Sequence, residues 1–334
     1  MPKRNISIKE ISALSGVSVA TVSRVINQNG RFSSETEKRV KQIIEQYGYQ
    51  PNQLARGLRT NKLQVVGIIV PDITNEFFAK VTLELQNNLF ELNYSTMICN
   101  TNEEYDIERR HITMLKSQQV SGLIYISGDF ADEQQVLQVP TVYIDRKPPF
   151  SSREGEFVLI ESDNENGGVY AADELMKSGA RHFAALTYRF EISSHADRVA
   201  GFRRGLKAHG VPESEIHVAQ AVQADAESGY QRMMELFSEH PEIDGIFCTT
   251  DRLAYGLLDL LREQGKSVPG DVRIVGFDDI SYSSMCSPRL TTIRQSVNSF
   301  GLLGANTLVS ILDGAPLERN RYLLPVELIR RDTT

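Results

Sequence analysis

The sequence predicts an α/β protein in two unequal parts: a small all-α head of three short helices, and a larger body of two doubly wound, mostly parallel sheets. Three observations predict it. Helix-start signals crowd the first fifty residues, and from Gln64 onward strand-length apolar runs alternate with amphipathic helices. The charge also changes sign between the parts. Residues 1–62 hold 11 Lys/Arg against 4 Asp/Glu, a net of +7, whereas residues 63–334 hold 25 against 39, a net of −14. At 334 residues the chain is long enough for two sizeable cores and a small module.

The head occupies residues 1–50. Ser7 and Glu10 have the spacing of a capping box, with Ile6 and Ile11 placed as its hydrophobic staple. After Leu14 and Gly16, Ser18 is an N-cap for a helix of about ten residues in which Val22, Val25 and Ile26 recur at i, i+3 and i+4. Asn27 to Gly30 ends it. A third helix opens at Ser33 and Ser34, with Glu37 in line for a second capping box, and its apolar face is Val40, Ile43, Ile44 and Tyr47 before Gly48. The segment 51–62 follows, a hinge that includes PNQLARGLRT. An isolated helix of two turns is marginal in water, and Gly57 costs about 1 kcal/mol relative to Ala within it.

The body runs from 63 to 334. Strands are expected at Gln64–Val70, Tyr94–Asn100, Gly122–Ser127 and Thr141–Ile144, with helices at Glu76–Leu92 and Ile107–Gln118 between the first three. A second series places strands at Phe157–Glu161, Phe183–Thr187, Ile216–Gln220, Gly245–Thr249 and Arg273–Gly276, with helices near Asn166–Ser178, Ala196–His209, Ser228–His240 and Arg252–Gln264. Near-continuous apolar strands suit parallel sheets covered on both faces. Two such lobes offer a cleft beyond the carboxyl ends of their strands.

Two helices around the turn at Gly16, on a strongly basic segment, form a helix-turn-helix. The second helix of such a pair presents side chains to the major groove, where base edges carry a distinct donor and acceptor code. Charge alone would suit a solvated face equally well. At this point IKEISALSGVSVATVSRVINQ at 8–28, YGYQPNQLARGL at 47–58, VGFDD at 275–279 and LTTIRQ at 290–295 carry a resemblance over nearly the whole chain to the lac repressor/galactose repressor (LacI/GalR) family. The resemblance implies a transcription regulator, a repressor of sugar-utilisation genes, that binds pseudo-palindromic double-stranded operator DNA as a homodimer and answers to a small sugar-type effector bound between its lobes. By resemblance Val19, Ala20 and Arg24 read bases, Thr21, Ser23 and Asn27 lie against phosphates, Arg31 is a further DNA-binding residue, and Leu58 wedges into the minor groove. The chemistry agrees: Arg can donate two bonds to guanine, small apolar side chains suit a thymine methyl, and Leu suits a kinked step.

The body is similar to ribose-binding periplasmic proteins. That likeness implies an effector site from Asn75, Phe77, Phe78, Asp145, Arg146, Arg198, Thr250, Asp278 and Gln295, with an aromatic ring on the sugar face and charged groups paired with vicinal hydroxyls. Thr250 stands where the pattern usually has asparagine, and Ala226 where the ribose pattern has a second aromatic, which leaves a furanose, a hexose or a phosphorylated sugar open. The family's final helix, here Val297–Leu312, belongs to the first lobe. The resemblance therefore divides the body into 63–161 with 293–322, and 162–291 with 323–331, crossing near 161, 292 and 323. The end at Thr334, soon after the last strand, lacks the tail of tetrameric members and leads to the expectation of a dimer.

Other classes fit less well. Ser194, His195 and Asp197 are neighbours in sequence, not a triad in space, and no phosphate-cradling glycine loop follows the first strand, so no enzyme is expected. The six histidines and three cysteines, Cys99, Cys248 and Cys286, show no metal spacing; neither metal nor cofactor is expected. Charges in the first eleven residues and the lack of a long apolar run point to a cytoplasmic protein with no membrane partner. A solute-binding module is disfavoured by the head. A regulator controlled by a purine or by a partner protein shares every head motif.

Overall fold

The computed structural model describes residues 6–49, 64–126, 139–148, 157–317 and 319–334. The chain forms two compact units, and the second begins at Gln64. The expected hinge, with Leu58, lies outside the described residues.

In the head, α1 (Ile8–Ser15), α2 (Val19–Asn27) and α3 (Ser34–Tyr47) pack around Ile11, Val22, Val25 and Val40. The Ser7/Glu10 capping box forms, and Ile6 joins the same core as Ile11. Gly16 and Gly48 end α1 and α3 in the left-handed conformation, at φ 68° and 63°, which a residue without Cβ adopts at no steric cost. Two expectations are corrected on α3. Ser33 caps Thr36, so Glu37 lies one residue too late for a capping box and instead pairs with Lys41 at 2.7 Å. Tyr47 is exposed, and Tyr49 packs on the core in its place.

The body begins with β1 (Val65–Val70), α4 (Glu76–Glu91), β2 (Ser95–Asn100), α5 (Tyr105–Ser117), β3 (Gly122–Tyr125), β4 (Thr141–Ile144) and β5 (Val158–Ser162). Then come α6 (Asn164–Lys177), β6 (Phe183–Tyr188), α7 (Ser193–Ala208), β7 (Ile216–Ala221), α8 (Ala226–Glu239), β8 (Gly245–Cys248), α9 (Asp251–Glu263) and β9 (Arg273–Asp278). The chain closes with β10 (Thr291–Arg294), α10 (Val297–Leu312), β11 (Arg321–Leu324) and β12 (Glu327–Ile329). One sheet has the order β11-β5-β4-β3-β1-β2, and the other β12-β10-β9-β8-β6-β7. Every pairing is parallel except β10 with β12.

Alternate residues of each central strand feed separate cores on the two faces, which is why the strands read as unbroken apolar runs. Val66, Ile68 and Val70 of β1 face α4 and α10, whereas Ile69 faces Ile112 and Leu115 of α5. In the second sheet Ala184, Leu186 and Tyr188 of β6 join the α8–α9 side, and Phe183 and Ala185 the α6–α7 side. Helices α6 and α7 cross in close contact: a Cβ on Gly168 would run into the Arg198 carbonyl oxygen, and one on Gly201 into that of Glu165.

The passages between sheets differ from expectation by a few residues. The one placed near 292 falls inside β10, which pairs with β9 of the second sheet, so the chain leaves that sheet only after Arg294. The one placed near 323 falls inside β11, which pairs with β5, so the return follows Leu324. Among the described residues no helix is long and apolar enough to cross a membrane.

Candidate functional site

A cavity of about 340 Å³ opens between the two lobes of the body, lined by loops that follow the carboxyl ends of strands in both sheets. From the first lobe, the turn after β1 brings Asp72, Thr74 and Asn75, and the first turn of α4 brings Phe77 and Phe78. Asn75 caps α4 by accepting from the Phe77 amide at 3.1 Å, which fixes the two rings at the cavity wall, 5.3 Å apart. Asn102 and Glu103 follow β2, and Asp145 and Arg146 follow β4. From the second lobe come Ser194, His195 and Arg198 on α7, the Gln223–Asp225 turn after β7, Thr250 and Arg252 at the start of α9, and Asp278 at the end of β9.

Arg198 is the centre of the site and is 3% exposed. Its Nε donates to Asn164 Oδ1 and its Nη1 to the Thr249 carbonyl oxygen, both at 2.8 Å, while its guanidinium lies 3.7 Å from the centre of the Phe277 ring. Asp278 approaches it at 3.5 Å and Asp145 at 3.8 Å. Burial lowers the Arg198 pKa, opposed by Asp278 and Asp145. Burial likewise pushes Asp278 well up, opposed by Arg198. His195 is held well below its usual range by burial and then by Arg198 and Arg146, so its ring is neutral and bonds Thr249 Oγ1 at 2.9 Å.

The lobes also meet directly across the cleft. Arg146 donates to Glu103 at 3.0 Å, and the same carboxylate accepts from the Tyr188 hydroxyl at 2.6 Å. Lys147 reaches Asp197 at 2.8 Å, and Arg252 reaches Asp72 at 2.9 Å. At Asp72 burial raises the pKa, but hydrogen bonds from Thr74 and Arg252 outweigh it and the carboxyl lies below its usual range. Strain collects here too. Asn102, Glu103, Asp145 and Asp278 all sit at positive φ, conformations that L-residues hold only where surrounding structure imposes them.

Of the residues expected at the effector site, Asn75, Phe77, Phe78, Asp145, Arg146, Arg198, Thr250 and Asp278 line the cavity. Gln295 does not: it stands behind Asp278, donating to that carboxylate at 2.8 Å and accepting from Ser162 at 2.7 Å. Ala226 is not among the lining residues, and the turn before it supplies the wall there. Sequence reasoning missed Asp72, Glu103, Ser194, His195 and Arg252. The signal was present, because each follows the carboxyl end of a strand, where such sheets bind ligands.

In the head, Ala20 and Arg24 project from the exposed side of α2 and Arg31 is exposed beyond it, while Val19, Thr21 and Ser23 are half-buried. Thr21 Oγ1 lies 2.9 Å from Ser18 Oγ in the cap, and the Arg24 stem lies over Gly30. Asn27 ends α2.

Residues 7–52 match the family model for bacterial regulatory proteins, lacI family, and residues 172–334 match the one for a periplasmic binding protein-like domain. The chain is 31% identical over 333 residues to the ribose operon repressor of Halalkalibacterium halodurans, covering 98% of this chain and 97% of that one. Among solved structures, the lac repressor dimer bound to operator and an anti-inducer is similar in fold, with a TM-score of 0.86 at 24% identity over 99% of both chains. A LacI-family regulator from Enterococcus faecium with bound ribose has a TM-score of 0.72 at 26% identity, over 81% of this chain and 98% of that one. A match of this identity along nearly the whole length of both chains, head motif included, leaves one assignment: the chain belongs to the LacI family of bacterial regulatory proteins.

Proposed function

We propose that the protein is an operator-binding transcription regulator whose body takes an uncharged sugar, a pentose of the ribose type in the first instance, between its lobes. The observation that carries the choice of ligand is the charge balance of the cavity. Five carboxylates, Asp72, Glu103, Asp145, Asp225 and Asp278, line it against three guanidiniums, and each guanidinium already faces a carboxylate: Arg146 at Glu103, Arg198 at Asp278, Arg252 at Asp72. A phosphorylated sugar would bring further negative charge into this surplus, with no uncommitted cation among the described lining residues to meet it. A neutral polyol exchanges hydrogen bonds with the existing pairs and leaves their charges balanced. Asp145 Oδ1 is a buried acceptor with no hydrogen bond, suited to a sugar hydroxyl, and Phe77 and Phe78 offer an apolar wall to the ring's C–H face.

On this reading Val19, Ala20 and Arg24 read base edges and Thr21, Ser23, Asn27 and Arg31 meet phosphates, with Leu58 wedged in the minor groove. The regulator works as a homodimer. Leu83 and Phe90, two turns apart on α4, are 53% and 73% exposed, and Met285 beyond β9 is 69% exposed, a surface suited to a second copy. The sugar acts only through its differential affinity for two arrangements of the lobes.

A thermal-shift series with ribose, xylose, glucose, their phosphate esters and purines tests the reading. A hundredfold excess over Kd stabilises by about 2.7 kcal/mol, a shift of several degrees. An uncharged sugar is expected to give it. A shift with phosphate esters or purines alone overturns the ligand class, and the absence of any preference for an operator over scrambled DNA overturns the regulator.

A further inference from the structure

At the amino-terminal ends of the second sheet's strands, the opposite end from the cleft, three side chains converge. His217 is the second residue of β7, an edge strand of that sheet; His240 follows α8 directly; Glu242 lies in the turn that leads into β8. One donor atom from each lies within 4.8 Å of the other two. The imidazole rings stack with centroids 3.8 Å apart, and His240 Nδ1 lies 3.3 Å from Glu242 Oε1. All three are at least partly exposed.

We propose that His217, His240 and Glu242 form a binding site for a divalent transition ion of the zinc class, with water completing the shell. Two neutral imidazoles and one carboxylate are a donor set that zinc takes readily, whereas magnesium and calcium prefer oxygen alone. Bonds of about 2.0 to 2.2 Å in a tetrahedral shell place donors about 3.4 Å apart. The present spacing, within 4.8 Å, is wider, so binding requires the partly exposed side chains to close on the ion. A bound ion ties the edge strand β7 to the turn before β8. It does so without touching the sugar cavity, so metal and sugar should act independently.

The test uses the untagged full-length chain, stripped with chelator and dialysed. Calorimetric titration with zinc chloride is expected to give one ion per chain with low-micromolar affinity, and cobalt(II) is expected to show the visible absorption of a tetrahedral site. His217→Ala and His240→Ala should each weaken binding at least about tenfold. His217→Gln, checked by far-UV circular dichroism, separates a lost ligand from a lost fold. His209→Ala should change nothing, since His209 pairs with Asp173 elsewhere at 2.7 Å. Zinc bound equally well by the His217→Ala/His240→Ala double variant overturns the proposal, as does wild-type affinity only in the millimolar range.

Discussion

Replacing Arg198 by methionine, which keeps most of the stem and removes the charge, should cost about 3 to 5 kcal/mol of stability and most of the affinity for sugar. Methionine can still fill the space against Phe277, so the loss is mainly electrostatic. Asn164 Oδ1 and the Thr249 carbonyl oxygen lose donors at 2.8 Å, and Asp145 and Asp278 are left without the cation between them. Breaking a buried pair from one side typically has this magnitude, because the remaining charge stays in a poorly solvating interior. The deficit carries a pH signature. Burial already raises the Asp278 pKa, and Arg198 is the first of the groups opposing that rise. Without Arg198 the carboxyl rises further above its unfolded value, so the folded variant holds a proton that the unfolded chain releases. Stability of that kind is present at low pH and lost as pH rises, which makes the deficit against wild type larger at pH 8 than at pH 5. The chain has no tryptophan, so urea unfolding is best followed by far-UV circular dichroism. A charged hydrogen bond to the ligand contributes about 1.5 to 3 kcal/mol, so the sugar Kd should rise about ten- to a hundredfold. A deficit below about 1 kcal/mol at both pH values, or an unchanged sugar Kd, would show that Arg198 is not the keystone of the cleft.

Three further outcomes are expected. Gly201→Ala drives a methyl into the Glu165 carbonyl oxygen, where no flexible side chain can yield, and should destabilise the body by about 3 kcal/mol in urea melts; wild-type stability would mean that α6 and α7 are not in close contact. Burial raises the Asp251 carboxyl to about 7, against hydrogen bonds from Ser283, Thr292 and the Ile280 amide. Its folded pKa is thus above its unfolded value, and wild type loses stability as pH rises between about 4 and 7, by at most about 1.4 kcal/mol per unit. Asp251→Asn should remove that slope, so an unchanged difference between Tm at pH 4.5 and pH 7 in the variant counts against it. Arg24→Ala should lower operator selectivity by about 1 to 3 kcal/mol per half-site while leaving much nonspecific affinity, read by footprinting on operator and scrambled DNA.

The parts of the structure written in local signals were legible. Ser7 with Glu10 specified the start of α1, and the doubly apolar strands specified covered parallel sheets before any contact was known. What depended on distant partners was not. The strands β10, β11 and β12 interrupt no clear alternation with helices, mix polar with apolar residues, and exist because β9, β5 and β10 offer them an edge. In the cleft, residues within recognisable segments were found, but Glu103 was not: its place after β2 was a usable signal, while its pairing with Arg146 and Tyr188 arises only on folding. Gln295 shows the reverse limit: it belongs to the right neighbourhood, and geometry places Asp278 between it and the cavity. His217 and His240 meet by the same kind of long-range register, which a search for close spacing along the chain passes over.

The chain's repeated passage between the sheets has a consequence for synthesis. The first sheet gains its outer strand β11, and the covering helix α10, only from residues made after the second sheet is nearly complete, and the second gains β12 only from Glu327–Ile329, made after β11. Neither lobe can therefore mature on the ribosome ahead of the other. A chain interrupted between Glu91 and Val297 carries a complete head but leaves Phe78, Val81, Leu85 and their neighbours without the α10 side of their core. Such fragments present apolar surface of the kind that aggregates or engages chaperones, so a head carried on an incomplete body is tied to a partner that cannot yet pack.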